Sequence, residues 1–471
     1  MTRLNRRHFL GALGAGAAAA AMPGCTRVQG AGEGKADAPA RRPNVLFIIT
    51  DDQRNDTLHA LGNEVIQTPT LDALVSAGTA FTNPYIQGGT GGAICISSRA
   101  TLLTGRTLWR VPNDCGKDLP LWPEVLKDAG YITHGVGKWH NGPASYARCF
   151  TGGGAIFFGG MTDQSKVPVH DFSPEGKYPK TAERIESKWS SELFSDTAVR
   201  FLREYKDAKP FFLYLAYTAP HDPRTAPPPY DSMYSPEKIP LPKNFLPGHP
   251  FDNGDLRGRD EMLAPHPRTP EVVRRHLADY YACISYADAQ IGRVLAALQE
   301  AGHAKNTIVI FTGDNGLAVG QHGLLGKQSV YEHSLRVPLV MRGPGVPAGQ
   351  RQAGFAYNFD LFPTVCEMVG LPIPKTVEGK SLAPVLAGRT KAVRDGVFGA
   401  YRNLQRMVRD ERYKLIKYAV KGEKHTQLFD LVDDPWETKN LAEDPAFAKQ
   451  LAALEARMNR CLKEAGDKAV M

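Results

Sequence analysis

Several features typical of well-known protein classes are missing from the 471 residues of this chain. No run of lysine and arginine stands out, so binding to nucleic acid is not expected. The seven cysteines include no CxxC pair and no Cys/His spacing typical of a zinc site. Setting aside Cys25 and Cys95, which are interpreted separately below, leaves an odd number, so complete disulfide pairing is excluded. The sequence also has no internal repeat.

The composition that is present is that of an ordinary globular protein. Hydrophobic residues make up 42% of the chain and charged residues 23%, which allows a sizeable core and does not indicate disorder. The length favours a large α/β domain with a smaller one beside it. The net charge is +8, and without the first 24 residues 54 basic residues stand against 49 acidic ones. This mild positive balance suits an anionic substrate.

The N-terminus has the features of a targeting segment. Residues 5–10 (NRRHFL) resemble a twin-arginine export signal, and the apolar residues 10–22 are too few to span a bilayer. We predict a signal peptide over residues 1–24 and a flexible linker over residues 25–42. Cys25 ends a loose match to a lipoprotein cleavage box, and ordinary cleavage just before it is the alternative. We therefore expect export by the twin-arginine machinery to the periplasm. If the protein is attached to the membrane, we expect the attachment to be a lipid anchor at Cys25.

Two buried strands are expected to end in oxygen-bearing side chains. Residues 45–49 form a continuous apolar run typical of a strand in a parallel sheet, and two aspartates follow it. Residues 308–311 form a similar run, followed by an aspartate and an asparagine. Open α/β sheets place ligands at the carboxyl ends of their strands. Although each pair alone fits a solvated loop equally well, the four together suit Ca²⁺ or Mg²⁺ better than zinc. They are Asp51, Asp52, Asp314 and Asn315.

A candidate nucleophile, Cys95, lies just ahead of an expected helix. Ser97 and Ser98 are typical N-cap residues, and apolar side chains follow them, so Cys95 is expected at or before a helix N-terminus. The free N–H groups and the dipole of such a terminus favour an anion and lower the pKa of a thiol. The alternative is a buried cysteine before a capped helix, with no chemical role.

Further side chains able to bind an anion or carry a proton follow other predicted strands. Lys138 and His140 follow one strand, and His221 and Asp222 follow another. Lys327 is a second candidate for holding the anion. Taken alone, each position fits an ordinary surface loop or turn as well as it fits a site.

The rest of the chain predicts supporting structure. Thirteen prolines fall between residues 220 and 270, so we expect an irregular segment that is functional or wraps one face of the domain. Residues 271–300 have the periodicity of a long helix, whereas the Gly-rich residues 151–188 predict a loop. From residue 395, short alternating strands precede a closing helix at residues 445–465.

Two segments resemble the signatures of the formylglycine-dependent sulfatase family, which belongs to the alkaline phosphatase superfamily. The second signature is matched across residues 130–140. The first is matched at Cys95, Ser98, Arg99 and residues 102–105. Ser97 stands where that signature has a proline, at a position that the maturation enzyme reads. With the ordered Asp-Asp, Pro-His and Asp-Asn pairs, the resemblance covers essentially the whole chain after the N-terminal segment.

This resemblance implies an α/β fold with a large mixed, mostly parallel sheet sandwiched by helices, followed by a small C-terminal antiparallel sheet and one helix. We accordingly place a catalytic domain at residues 43–394 and a C-terminal subdomain at residues 395–471. The resemblance also implies that a formylglycine-generating maturation enzyme oxidises Cys95. The hydrate of formylglycine would attack sulfur and then collapse to the aldehyde, which releases sulfate.

Roles for the other site residues follow from the same resemblance. The calcium ion, with Mg²⁺ as an alternative, would contact Asp51, Asp52, Asp314, Asn315 and the oxidised Cys95. Arg99 and His140 would hold the nucleophile and help to deprotonate it. Lys138, His221 and Lys327 would bind the sulfate, with His221 or Lys327 protonating the leaving alcohol.

The expected substrate is a sulfate monoester on a carbohydrate, either small or an oligosaccharide. We expect Asp222, Arg224 and His322 to contact it. Two alternatives remain: a phosphodiesterase or phosphonate hydrolase on the same scaffold, and a non-catalytic binder of sulfated glycans if Cys95 stays a thiol.

Overall fold

The computed structural model describes residues 41–469 and residue 471. The predicted signal peptide, Cys25 and nearly all of the predicted linker lie outside the described residues. Residues 42–471 form one compact unit. Among the helices described here, none combines the length and the apolar character that a membrane span requires.

The elements alternate between strands and helices along most of the chain. The strands are β1 (Asn44–Thr50), β2 (Thr79–Tyr85), β3 (Gly88–Gly89), β4 (Ile132–Lys138), β5 (Gly152–Phe157), β6 (Pro168–Val169), β7 (Arg184–Ile185), β8 (Phe211–Ala216), β9 (Thr307–Gly313), β10 (Leu339–Arg342), β11 (Gln350–Tyr357), β12 (Val397–Tyr401), β13 (Gln405–Arg409), β14 (Tyr413–Val420) and β15 (Glu423–Asp430). The helices are α1 (Pro69–Ala77), α2 (Ile94–Thr104), α3 (Trp122–Asp128), α4 (Pro143–Cys149), α5 (Ser190–Glu204), α6 (Pro270–Glu300), α7 (Glu332–Leu335), α8 (Leu361–Met368), α9 (Ala383–Leu386) and α10 (Ala448–Ala465).

A large mixed sheet forms the centre of the fold. Its strand order is β11-β2-β10-β9-β1-β8-β4-β5, and all neighbouring pairs are parallel except the two that involve β10. Every residue of β1 is buried, because helices cover both faces of the sheet. Val45, Phe47 and Ile49 pack with α3 on one face, and Leu46 and Ile48 pack with α1 and α5 on the other. The predicted fold class is confirmed.

A smaller sheet follows in the C-terminal part of the chain. Strands β12 to β15 are antiparallel, and α10 packs its apolar side against them. The short strand β3, which lies just before α2, joins this sheet parallel to β12. The loop that leads to Cys95 is thereby tied to the C-terminal sheet. The division of the chain at residue 394 stays a prediction.

The predicted start of α2 is wrong. The helix begins at Ile94 with Ala93 at the cap position, so Cys95 lies inside the first turn and not before it. Ser97 and Ser98 are buried helical residues and do not cap the helix. The hydroxyl of Ser97 donates to Asn113 Oδ1 at 2.9 Å, so a tertiary partner and not the helix end takes this side chain.

The predicted loop over residues 151–188 is also wrong in part, because it begins with strand β5. A Cβ atom on Gly153 would lie 2.6 Å from the carbonyl oxygen of Gly135 on β4. Glycine is therefore what allows β5 to pair closely with β4 at the edge of the large sheet. The glycines that suggest a loop in the sequence instead allow the backbones of β4 and β5 to approach closely.

Candidate active site

The parallel strands β1 and β9 bring four oxygen-bearing side chains together. Thr50 pairs with Gly313, so the residues that follow each strand lie side by side. The backbone N–H of Asp52 donates to Asp314 Oδ1 at 3.1 Å, and Asn315 Nδ2 donates to Asp52 Oδ1 at 2.7 Å. These residues and Asp51 are fully buried. The structure thus brings together the predicted metal ligands.

The cluster has the ligand atoms of a cation site, and several of its buried oxygens have no hydrogen-bond partner. One carboxylate oxygen of Asp51, one of Asp314 and Cys95 Sγ all lie within 4.8 Å of one another. Three buried oxygen atoms of this cluster have no hydrogen-bond partner among the described residues: Asp51 Oδ1, Asp52 Oδ2 and Asn315 Oδ1. Burying such atoms unpaired is costly, and a hard divalent cation would satisfy them. The residues present fit Ca²⁺ or Mg²⁺.

Three buried cations surround the acids, one for each carboxylate. Lys138 Nζ pairs with Asp51, Arg99 Nε with Asp314 at 2.7 Å, and Lys327 Nζ with Asp52 at 2.7 Å. Burial and the neighbouring Asp51 carboxylate raise the pKa of Asp314 to about 6. Burial also acts to raise the pKa of Asp52, but His221 and Lys327 outweigh it and hold that pKa below its usual range.

Cys95 lies at the junction of this cluster and α2. Its Sγ is 3.4 Å from His140 Nδ1 and 3.9 Å from Lys138 Nζ. Burial raises the pKa of the Cys95 thiol to about 11, so an unmodified thiol is protonated at neutral pH. Burial also lowers the pKa of His140, and Lys138 and Arg99 lower it further, so the imidazole is uncharged at neutral pH.

His221 faces the acids from the opposite side. Its Nε2 is 3.7 Å from Asp52 Oδ2, and its Nδ1 is 2.9 Å from the backbone oxygen of Asp222 and 3.3 Å from that residue's carboxylate. Burial lowers the pKa of His221 to about 4, although Asp52 acts in the other direction. Arg259 holds the Asp222 carboxylate with hydrogen bonds of 2.6–2.8 Å. Asp222 therefore orients the His221 ring through contacts to its Nδ1.

A cavity of about 290 Å³ opens over these groups. Four predicted catalytic residues line it together with two arginines that sequence reasoning missed; the six are Cys95, His140, His221, Lys327, Arg259 and Arg402. Arg259 comes from the proline-rich segment, whose length had marked it as functional without indicating a residue. Arg402 comes from the turn between β12 and β13, where no sequence pattern marked it.

None of the three predicted substrate contacts lines this cavity: Asp222 packs against His221, and Arg224 and His322 lie elsewhere. Arg224 Nη1 is 3.1 Å from His276 Nδ1, and its guanidinium lies over the ring of Tyr280. His322 stacks on Tyr331 with a centroid distance of 3.9 Å, and its Nε2 is 3.1 Å from the carbonyl oxygen of Glu437. His322 lines a different cavity beside β15. The structure does not bring Arg224 or His322 to the predicted site, because aromatic rings hold both side chains elsewhere.

All six cysteines in the described part of the chain are free.

A buried charge cluster surrounds Glu332 on α7. Arg336, four residues later in the chain, lies 3.9 Å from Glu332, but Glu332 has closer partners in Arg409 at 2.7 Å and Lys414 at 3.0 Å. Because Arg409 and Lys414 belong to β13 and β14, these ion pairs connect α7 to the small sheet.

A nucleophile position at the start of a helix, an acidic cation site at strand ends and buried lysines around both define a class: hydrolases of sulfate or phosphate esters. The comparison with known proteins then identifies the family. A sequence model of the sulfatase family matches residues 43–371, and a model of the C-terminal region of N-sulphoglucosamine sulphohydrolase matches residues 320–464. The chain belongs to the sulfatase family, in the alkaline phosphatase superfamily, and is a sulfuric ester hydrolase.

Similar proteins extend over nearly the whole chain. An ulvan-active sulfatase of Formosa agariphila is 30% identical over 462 residues, which cover 92% of this chain and 83% of that protein. An N-acetylglucosamine-6-O-sulfatase of Bacteroides thetaiotaomicron is 25% identical over 508 residues, covering 91% and 87%.

Two solved structures share the fold. One, a protein in complex with its substrate D-glucosamine-2-N,6-O-disulfate, has a TM-score of 0.76 at 23% identity and covers 91% of this chain and 99% of its own. The other, a phosphonate monoester hydrolase of Silicibacter pomeroyi, has a TM-score of 0.70 at 26% identity, covering 91% and 96%.

Proposed function

We propose that this sulfatase hydrolyses sulfate monoesters of carbohydrates, with formylglycine made from Cys95 as nucleophile and one Ca²⁺ or Mg²⁺ ion bound at the acids. The observation that carries the proposal is the meeting of Cys95 Sγ with oxygens of Asp51 and Asp314 within 4.8 Å. The carbohydrate part rests on two relatives, named as acting on ulvan and on N-acetylglucosamine sulfate.

Formylglycine and the divalent cation would each contribute a defined part of the chemistry. Formylglycine supplies an oxygen nucleophile in place of the thiol, and the cation neutralises charge on the reacting oxygens. The residues around them do the rest. His140, 3.4 Å from the side chain at position 95, accepts the proton of the nucleophile. Lys327, which lines the cavity, and Lys138, whose Nζ lies 3.9 Å from Cys95 Sγ, hold sulfate oxygens, and Arg99 fixes Asp314 in place.

The leaving alcohol needs a proton, for which Lys327 and His221 are the candidates. Both line the cavity; Lys327 carries a proton at neutral pH, whereas His221, whose pKa burial lowers to about 4, must first take one up. Alcohols of sugars need protonation far more than nitrophenols do, so loss of the donor should affect the two substrates unequally. His221→Ala is expected to lower kcat on a sugar sulfate much more than on nitrophenyl sulfate if His221 is the donor. Equal losses on both substrates would assign the proton to Lys327.

The first experiment is a peptide mass spectrum of the segment that contains Cys95, from protein made together with the maturation enzyme. Loss of the thiol in favour of the aldehyde or its hydrate is expected. Sulfate release from a panel of monosulfated sugars should then require a divalent cation and be absent in Cys95→Ala. An unmodified cysteine in every peptide would instead favour the non-catalytic binder.

A phosphonate monoester hydrolase or phosphodiesterase is the second candidate function. The similarity to the Silicibacter pomeroyi enzyme supports it, because the same scaffold carries that activity. Matched nitrophenyl esters distinguish the two functions. Faster turnover of the phosphodiester or phosphonate than of the sulfate would overturn the assignment to sulfate esters.

Export and maturation are further parts of this proposal. Twin-arginine export moves folded proteins, which fits modification of Cys95 in the cytoplasm before the protein reaches the periplasm. Replacing Arg6 and Arg7 by lysine should retain the protein in the cytoplasm, as cell fractionation would show. Cys25→Ser should release it from the membrane fraction if Cys25 carries a lipid. Periplasmic recovery of the lysine variant would contradict the export route.

A further inference from the structure

We propose that Arg402 binds a second anionic group of the substrate, so that the preferred substrate is a saccharide with another sulfate or a carboxylate near the ester that is cleaved. This inference rests on the proposed function and narrows its substrate class. Cys95 and Arg402 line the same cavity.

Arg402 is placed at the mouth of the cavity by the small sheet. It follows β12 in the turn to β13 and has a φ of 47°. Its backbone N–H donates to the carbonyl oxygen of Gly89 at 2.8 Å. A Cβ atom on Gly92 would lie 3.0 Å from Arg402 Nη2, so the guanidinium lies against the loop that leads to Cys95.

The other charged groups at the rim have closer partners than Arg402 has. Arg259 is bound to Asp222 by hydrogen bonds of 2.6–2.8 Å and lies 3.1 Å from Asp260. The carboxylate of Asp255 accepts a hydrogen bond from the hydroxyl of Tyr401. Arg259 is therefore held by two carboxylates, whereas the neutral hydroxyl leaves Asp255 charged beside Arg402.

Arg402 differs from the other charged groups at the rim because its guanidinium has few partners in the protein. In the described part of the chain its guanidinium donates no hydrogen bond to the protein, and its one ion pair, with Asp255, is 3.9 Å long. The ring of Tyr401, 5.3 Å away, lies beneath it and limits its motion. Its side chain is 42% exposed. A guanidinium so placed offers its forked donors to a sulfate or a carboxylate.

The size of the cavity limits where the second anion can be. Its volume of about 290 Å³ equals roughly that of ten water molecules in the liquid. One sugar ring with its ester sulfate fills such a space. The second anion is therefore on the same ring or on the ring attached to it.

The test compares ligands that share one ester and differ in a second anion. N-acetylglucosamine 6-sulfate is matched with N-sulfoglucosamine 6-sulfate, and a 6-sulfated glucosamine disaccharide with a neutral hexose is matched with its uronate counterpart. Calorimetry on the full chain made without the maturation enzyme gives dissociation constants without turnover. The mature protein then gives kcat/KM for the same pairs.

We expect the dianionic member to bind on the order of ten-fold tighter at low salt, since an exposed charge-assisted contact is partly screened. The preference should weaken as salt is added. It should vanish in Arg402→Gln and persist in part in Arg402→Lys. Arg203→Gln is the matched control, because Arg203 lies on the outer face, 62% exposed and paired with Glu300.

Each outcome has a definite meaning. A preference limited to the N-sulfo pair identifies a second sulfate, and one limited to the uronate pair identifies a carboxylate. Equal affinity within both pairs, or an unchanged preference in Arg402→Gln, overturns the inference even if sulfate is released. Absence of sulfate release from every ester, with the preference intact, would instead sink the proposed function and leave the role of Arg402 standing.

Discussion

Glu261 anchors the loop that carries Lys327, although it belongs to the proline-rich segment. Its carboxylate accepts hydrogen bonds from the backbone N–H groups of Leu325 and Gly326 at 2.7–3.0 Å. Arg268 donates to the same carboxylate at 2.7 Å, and both side chains are buried. Lys327 comes next in the chain, so the carboxylate positions a sulfate-binding residue that it does not touch.

The substitution Glu261→Gln changes charge at nearly constant shape. The new amide group would face N–H donors, and Arg268, whose side chain is fully buried, would lose its counter-charge. Removing one partner of a buried ion pair costs about 3–5 kcal/mol. Because Arg268 keeps the carbonyl oxygens of Ala264 and Glu261 as acceptors, we expect the lower end, ~3 kcal/mol.

The catalytic effect should be measurable beside the loss of stability. A displacement of about 1 Å at a catalytic group costs on the order of 100-fold in rate, so even a partial shift of Lys327 should lower kcat about ten-fold. Urea unfolding and kcat on a sulfate ester are the two measurements. Glu237→Gln, an exposed position in the same segment, should stay within about 0.5 kcal/mol of wild type.

Two results would refute this reasoning. If Glu261→Gln unfolds at the same urea concentration as Glu237→Gln, the buried charge contributes nothing to stability. If stability falls while kcat of the folded fraction is unchanged, the anchor supports the fold without positioning Lys327.

Three further predictions concern other parts of the chain. Lys414→Met should cost roughly 3–5 kcal/mol in urea unfolding, because it leaves Glu332 and Glu437 buried without the cation that lies 3.0 and 2.7 Å from them; a loss under about 1 kcal/mol would contradict this. Burial raises the pKa of Asp288 to about 6, so the folded state holds a proton that the unfolded state releases, and stability should fall by about 2 kcal/mol from pH 4 to 6 in wild type but not in Asp288→Asn; parallel pH profiles would refute it. Ser97→Pro should raise the fraction of formylglycine measured by mass spectrometry after co-production with the maturation enzyme, whereas an unchanged fraction would mean that residue 97 is not read.

The acidic part of the site could be predicted from the sequence because each ligand follows a buried strand directly. An apolar run identifies the strand, parallel pairing fixes which end faces the ligand, and Asp51 and Asp314 are then adjacent by geometry. Lys138 is the last residue of β4, and His221 lies in the loop that follows β8, at the same edge of the sheet. No tertiary detail was needed beyond the order of the strands.

The rim of the site could not be predicted in this way. Arg259 and Arg402 come from an irregular segment and a hairpin turn, and they meet only because β3 ties the Cys95 loop to the small sheet. His322 shows the opposite error, since the stacking of its ring on Tyr331 turns a promising loop histidine away from the cavity. Ser97 resembled a cap because serine favours that position, but a hydrogen bond to Asn113 decides its place.

The buried charges of the site also select the charge of the ester. Three carboxylates each pair with one cation, so these six side chains together are neutral. Burial lowers the pKa of His140 and of His221, which leaves both imidazoles uncharged near neutral pH. A divalent cation held by these acids would add two positive charges. A sulfate monoester, with a single negative charge, would match one of them, and the charge that develops on the nucleophile would match the other.

A phosphate monoester is largely a dianion at neutral pH and would leave this buried site with excess negative charge, which a low dielectric penalises. Sulfate monoesters, phosphodiesters and phosphonate monoesters are all singly charged and fit the balance. The protein should therefore turn over nitrophenyl sulfate faster than nitrophenyl phosphate, and comparable rates would show that the pairing does not set selectivity. Because charge does not separate sulfate from phosphodiester, that distinction falls to the contacts of the leaving group, where Arg402 lies.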